Sequence, residues 1–88
     1  MEECLNDVVI LSGVRTAIGD FGGSLKDVAP WELGRVVIAE AIKRAGIEPG
    51  DVEHVVLGQV IQSEPRDAYV SRIAAIAAGI PDRTPALT

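Results

Sequence analysis

Residues 30–46 read PWELGRVVIAEAIKRAG, and this stretch predicts the first helix of the fold. Pro30 suits the first helical turn, where its missing N–H costs no hydrogen bond. Glu40 and Arg44 stand four residues apart, in the favourable order for an ion pair. Gly46 supplies the left-handed residue that commonly ends a helix. Apolar residues recur at helical spacing and form one broad stripe on the other face: Leu33, Val37, Ile38, Ala41, Ile42 and Ala45.

Apolar runs on either side of this helix predict strands. Residues 8–11 form a continuous, mostly β-branched run, which is typical of a strand buried on both faces. Residues 54–62 predict a second strand, and residues 86–88 predict the start of a third. Between them a second helix is predicted over about residues 67–78, with Tyr69, Ile73, Ile76 and Ala77 on its inner face. The order β-α-β-α-(β) predicts an α/β fold with a parallel sheet covered by helices.

The composition excludes several classes of function. The net charge is −5 and no basic cluster is present, so we expect no nucleic-acid binding. No apolar run approaches the roughly 18 residues of a membrane span, and the start MEEC lacks the basic region of a signal peptide. The single cysteine, Cys4, indicates a reducing compartment. We therefore expect a cytoplasmic protein that does not bind a membrane.

The length of 88 residues gives at most one small domain. A chain of this size buries only about 60–65% of its unfolded surface, and no disulfide can compensate. The core must rely on Val, Ile and Ala, since only three residues are aromatic. The last predicted strand begins where the sequence ends. We therefore expect the chain to be part of a larger protein.

The glycine-rich loop at residues 13–23 matches neither of two phosphate-binding sequence patterns. The P-loop requires Gly-Lys-Ser/Thr after its spacer, whereas Asp20 follows Gly19 here. The dinucleotide spacing Gly-x-Gly-x-x-Gly is also missing. We interpret the loop as a close-packed structural segment, in which Arg15 forms an ion pair rather than an anion contact.

The remaining polar residues predict no catalytic group. His54 has no second ligand at metal-binding spacing and is expected to be an ordinary imidazole at a strand end. Cys4 has no neighbouring cation or helix N-terminus to lower its pKa, so we expect it to be inert. Residues 62–67 predict a loop that serves as a contact surface, for which another subunit is one candidate partner. From the residues alone we assign no catalytic residue and no metal ligand, and cofactor-binding residues stay unknown.

Several segments together resemble one family, the thiolases, which comprise acetyl-CoA acetyltransferases and β-ketothiolases. The core of the resemblance is RTAIG at residues 15–19, followed by FGG at residues 21–23. The other matching segments, in the order of the family, are ELG at 32–34, GQV at 58–60, RIAAIAAGIP at 72–81 and PALT at 85–88. The resemblance covers nearly the whole chain from Val8 onward, as an incomplete N-terminal portion (residues 1–88) of the thiolase N-terminal domain.

The resemblance implies a layered αβαβα architecture and a Claisen condensation or its reverse, thiolysis of a 3-oxoacyl-CoA. In this family a cysteine carries the acyl group as a thioester, a histidine activates it, and a second cysteine moves a proton. Acyl-CoA thioesters are the substrates, no metal or other cofactor is implied, and the family is usually a dimer or tetramer. The nucleophile lies in Cys-Gly-Ser-Gly, a few residues beyond a segment like residues 85–88. Cys4 does not match it, so the chain alone is predicted to be inactive.

One departure from the family pattern lies before the second helix. Many biosynthetic thiolases have Asn-Pro-Ala-Arg there, whereas this chain has EPRDAYVSR at residues 64–72. The variant resembles β-ketothiolases that accept a broader range of acyl chain lengths. Two alternatives to a catalytic N-terminal part stay open: a small subunit of a split thiolase, and a non-catalytic protein that uses a thiolase-like half-domain for interaction.

Overall fold

The computed structural model describes residues 7–88, and its longest element is helix α1, Pro30–Ala45. The predicted start and end are confirmed. The Glu32 carboxylate accepts a hydrogen bond from the Ala29 N–H at 3.3 Å, which satisfies a donor at the helix start. Gly46 adopts the left-handed conformation, with φ 74°, and its N–H reaches the last-turn carbonyls. On the exposed face, Arg44 donates to Glu40 at 2.7 Å, as the spacing predicts.

Two short parallel strands follow, β1 at Val55–Val56 and β2 at Ala86–Leu87. Val55 lies opposite Ala86. The Val55 N–H donates to the Pro85 carbonyl, and the Leu57 N–H donates to the Leu87 carbonyl, both at 3.0 Å. The parallel pairing confirms the α/β class, although β1 is shorter than residues 54–62 because pairing with β2 stops after Leu57. Short 3₁₀ turns occupy Pro49–Asp51 and Pro65–Tyr69.

The strand predicted at residues 8–11 is wrong for this structure. These residues have no strand pairing within the described part of the chain, and Val8 and Ile10 are more than nine-tenths exposed. A β-branched run becomes a strand only when another strand pairs with its backbone, and sequence cannot supply that partner. The segment instead runs beside α1, where the Ser12 hydroxyl donates to the Ala41 carbonyl at 2.8 Å. The loop that follows it, residues 13–23, is irregular as predicted. The interpretation of the loop as close-packed is wrong for this structure, because Ile18 and Phe21 lie on its exposed surface.

Helix α2, Val70–Ala77, is present, but its inner face differs from the prediction. Tyr69, just before the helix, is 70% exposed, and Ile76 and Ala77 also face outward. The buried residues of the helix are Val70, Ser71, Ala74 and Ala75. Small side chains face inward because α1 approaches closely: a Cβ built on Gly34 would lie 3.0 Å from the Ala74 Cβ.

The core lies between the two helices and the strand pair. Val55, Ala75 and Ile80 form its buried cluster, and half-buried aliphatic residues pack around them. The prediction that Val, Ile and Ala build the core is confirmed. This arrangement places the start of α2 at the same end of the molecule as the carboxyl ends of both strands.

Candidate functional site

The carboxyl edge of the strand pair is the candidate functional site. Because β1 and β2 are parallel, residue 57 onward and Thr88 leave the sheet at the same edge. In open α/β sheets, ligands bind in the crevice outside the carboxyl ends of the strands. Helix α2 begins there as well, since the Ser71 N–H donates to the Thr88 hydroxyl at 3.2 Å.

A pair of hydroxyl groups joins α2 to the end of β2. The Ser71 and Thr88 side-chain oxygens lie 2.6 Å apart, a short hydrogen bond in which either can be the donor. Ser71 is only 1% exposed, so water does not compete for the hydrogen bond of its hydroxyl group. Sequence analysis missed both residues, since Ser and Thr separated by 17 positions carry no recognisable spacing.

The loop before α2 is organised by a buried carboxylate. Asp67 is 0% exposed, so this one residue of the predicted contact surface 62–67 lies inside the fold. One carboxylate oxygen, Oδ2, accepts hydrogen bonds from the Ser63 N–H at 2.5 Å, the Ser63 hydroxyl at 2.6 Å and the Glu64 N–H at 3.2 Å. Asp67 lies two residues after Pro65, and an acidic residue in the first turn is a familiar signal of a helix start. The sequence could therefore have predicted that Asp67 accepts hydrogen bonds there.

These hydrogen bonds set the ionisation state of Asp67. The Ser63 hydroxyl lowers the pKa of Asp67 below its ordinary value, burial opposes that shift, and the two backbone N–H groups reinforce it. The carboxylate therefore stays charged at neutral pH. Its other oxygen, Oδ1, and Glu64 Oε1 are buried without a hydrogen-bond partner among residues 7–88. No group of three metal-ligating side chains occurs among the same residues.

An apolar surface lies beside this loop, formed by Trp31 and the outward side of α2. The Arg66 guanidinium carbon stands 5.9 Å from the centre of the Trp31 ring, within cation–π range. Ile73, Ile76 and Ala77 continue the surface along α2. Three of the residues predicted for the inner face of α2, the half-buried Ile73 and the exposed Ile76 and Ala77, thus line an accessible groove instead.

The other residues considered from sequence lie away from this edge. Arg15 is exposed and donates to the Thr16 carbonyl at 3.0 Å, and its predicted ion pair is absent from the described residues. His54 is exposed directly before β1, as predicted for a strand-end imidazole. Cys4 falls outside the described residues. Across residues 7–88, no helix has the length and apolar character needed to cross a membrane.

Comparison with known proteins gives one consistent family. The model of the thiolase N-terminal domain matches residues 8–88. The chain is 61% identical over 82 residues to "Beta-ketothiolase BktB" of Cupriavidus necator, covering 93% of the chain and 21% of that protein. It is 48% identical over 84 residues to "Acetyl-CoA acetyltransferase" of the same organism, covering 96% of the chain and 21% of that protein.

Solved structures agree. The acetyl-CoA acetyltransferase of Bacillus anthracis superposes with a TM-score of 0.83 at 47% identity, over 91% of this chain and 20% of that one. Human mitochondrial 3-ketoacyl-CoA thiolase, solved in complex with CoA, superposes with a TM-score of 0.76 at 36% identity, over 80% of this chain and 18% of that one. The chain spans about a fifth of the length of the relatives it matches.

Proposed function

The chain belongs to the thiolase family, and from that premise we propose that it supplies the N-terminal framework of an acetyl-CoA C-acyltransferase. The observation that carries the proposal is the 61% identity to a β-ketothiolase over 93% of the chain. The family match, over residues 8–88, extends through both helices and both strands, including the segment at residues 85–88.

The proposed reaction is thiolysis of a 3-oxoacyl-CoA or, in reverse, Claisen condensation of an acyl-CoA with acetyl-CoA. In thiolysis, a cysteine thiolate attacks the 3-carbonyl carbon, and the bond between C2 and C3 breaks. The acyl group stays on the cysteine as a thioester, while the released enolate takes a proton at C2 and leaves as acetyl-CoA. The thiol of free CoA then attacks the thioester and releases the shortened acyl-CoA. Hydrogen-bond donors fixed around the developing oxyanions lower both barriers.

The part of this chain in that reaction is structural support rather than bond making. The proposed nucleophile follows Thr88 and is not among the 88 residues. The carboxyl ends of β1 and β2, together with the start of α2, support the segment that bears it. Acyl-CoA thioesters are therefore the proposed substrates of the whole protein, and we propose that it assembles as a homo-oligomer.

The finer proposal concerns chain length. Residues 64–72 depart from the pattern of many biosynthetic thiolases, and identity is higher to the β-ketothiolase than to the acetyl-CoA acetyltransferase. We therefore propose that the enzyme accepts 3-oxoacyl groups longer than acetoacetyl.

The test is to sequence the reading frame beyond Thr88, express the protein it encodes, and follow consumption of the free CoA thiol with acetoacetyl-CoA and 3-oxohexanoyl-CoA. Thiolysis of both substrates is expected, and carbamidomethylation of the protein's thiols should abolish it. The 88-residue chain expressed alone is the matched control and should show no turnover. A frame that continues toward Cys-Gly-Ser-Gly but yields a folded protein without thiolysis would refute the proposed activity.

A stop codon directly after Thr88 would favour the two alternatives stated above. Mixing the chain with the protein encoded beside it separates them. Gain of thiolysis on mixing identifies a small subunit, whereas binding to a thiolase that is already active identifies an interaction protein.

A further inference from the structure

The sheet itself holds β2 only weakly. Each strand has two residues, and the hydrogen bonds at the two ends of their pairing run from the Val55 and Leu57 N–H groups to the Pro85 and Leu87 carbonyls. A two-stranded pairing this short is marginal in water. The position of β2 must therefore depend on other contacts at its two ends.

Side-chain hydroxyls provide those contacts. Before β2, the Thr84 hydroxyl donates to the Val52 carbonyl at 3.0 Å. After β2, the Thr88 hydroxyl oxygen accepts from the Ser71 N–H and shares a second hydrogen bond with the Ser71 hydroxyl. The contact at the carboxyl end is the stronger one, because one oxygen meets both the backbone and the side chain of Ser71.

The start of α2, which carries Ser71, is itself held in place by hydrogen bonds. Asp67 accepts three hydrogen bonds within the preceding turn, and the 3₁₀ turn Pro65–Tyr69 runs directly into α2. Two carbonyls of the turn before β2 are also fixed to α2: Arg72 donates to Thr84 at 3.0 Å and to Asp82 at 2.8 Å. The start of α2 is thus a fixed platform against which the end of β2 is positioned.

We propose that Ser71 and Thr88 are positioning residues, whose paired hydroxyls fix the point at which the chain leaves β2 toward the reacting cysteine. The inference rests on the proposed function, because that function places the nucleophile a few residues beyond Thr88. Neither residue touches substrate in this role. Their effect is on the alignment of the nucleophile, and a misplacement of about 1 Å lowers the rate of a preorganised reaction by up to about 100-fold.

The test uses the full-length enzyme and the variants Thr88→Val, Thr88→Ser and Ser71→Ala. Thr88→Val keeps the shape of the side chain and removes the hydroxyl, and we expect kcat for thiolysis to fall about 10- to 100-fold with KM changed less than about threefold. Thr88→Ser keeps the hydroxyl and should recover most of kcat. Ser71→Ala should lower kcat as well, and the double variant Ser71→Ala/Thr88→Val should be no worse than the more damaging single change.

The matched control is Thr84→Val, which removes a hydroxyl hydrogen bond from the other end of the same strand. It should lower thermal stability while leaving kcat within about twofold of the wild type. The rate of alkylation of the nucleophile by iodoacetamide, followed against pH, gives a second readout that does not require turnover. Thr88→Val should change that profile and Thr84→Val should not.

The outcomes separate the two proposals. Wild-type protein without thiolysis would refute the proposed function and this inference with it. An active wild type whose kcat and alkylation profile survive Thr88→Val and Ser71→Ala would refute the inference alone. Equal losses of kcat in Thr84→Val and Thr88→Val would show that the hydroxyls act only on stability, and would overturn it too.

Discussion

The close approach of α1 and α2 at Gly34 gives the sharpest quantitative prediction of the fold. A Cβ at Gly34 would lie 3.0 Å from the Ala74 Cβ and 3.4 Å from Leu57 Cδ1. Carbon atoms in good contact are about 3.5–4.0 Å apart, so the helices must separate by about 0.5 Å or more. Overpacking of this kind costs about 1–3 kcal/mol, and the higher helix propensity of alanine returns about 1 kcal/mol. We expect Gly34→Ala to lower the local free energy of unfolding by about 0–2 kcal/mol.

Moving the methyl group from one helix to the other should remove most of that cost. Ala74→Gly alone should lose about 2 kcal/mol, from helix propensity and one buried methyl group. In Gly34→Ala/Ala74→Gly the methyl group occupies the space that Ala74 leaves, while the two propensity effects cancel. The double variant should therefore lie within about 1 kcal/mol of the wild type, instead of the roughly 2–4 kcal/mol loss that additivity of these estimates would give.

Native-state hydrogen exchange is the assay of choice, because it reports local opening free energies and does not require global unfolding to be two-state. Peptides from α1 and α2 should lose protection together in the single variants and regain it in the double variant. Ala39→Gly, on the exposed side of α1, measures the propensity effect without packing and should cost about 1 kcal/mol. Additive effects within about 0.5 kcal/mol would refute the close contact between the helices.

Three further changes test individual contacts. Gly46→Ala should destabilise the last turn of α1 by about 1–2 kcal/mol, because φ is 74° there, and amide exchange in that turn measures it. Arg72→Lys replaces the two guanidinium nitrogens that reach the Thr84 and Asp82 carbonyls by one ammonium nitrogen. It should therefore weaken the turn at residues 81–84 by about 1 kcal/mol, seen as faster proteolysis there. Asp67→Asn removes the charged hydrogen-bond acceptor and should speed amide exchange in residues 63–67. In the wild type, the stabilisation by the charged Asp67 carboxylate is present above pH 3.8 and is lost as pH falls through its lowered pKa. NMR titration of the Asp67 carboxyl carbon measures that pKa. An Asp67 that titrates at or above 3.8 would contradict that reasoning.

Sequence predicts α1 well because its signals are local. Pro30 at the start, Gly46 at the end and the Glu40–Arg44 pair each act within a turn or two of the helix. The class of fold follows in the same way, since strands that alternate with helices favour a parallel sheet. The resemblance to thiolases was also readable from short motifs in order, and the family match confirms it.

Sequence fails where a partner elsewhere in the chain decides the structure. Sequence places Tyr69, Ile73, Ile76 and Ala77 on the inner face of α2. Close packing against Gly34 and the core cluster instead selects the small residues Ala74 and Ala75. The role of Asp67 lies between these cases. Its place after Pro65 indicates a helix start, but its complete burial depends on how α2 docks.

The candidate site also depends on contacts between residues that are distant in the sequence. In open parallel sheets ligands bind outside the carboxyl ends of the strands, and the fold decides which residues meet there. What gives the edge a defined geometry is a contact between Ser71 and Thr88, which are 17 residues apart and belong to two different elements. A strand of two residues is held by few backbone hydrogen bonds, so the contact between Ser71 and Thr88 adds to what positions its end. A substitution that shifts the start of α2 will therefore move the end of β2, even where it touches neither strand. Changes in this helix should consequently alter the position of Thr88 more than their distance from it implies.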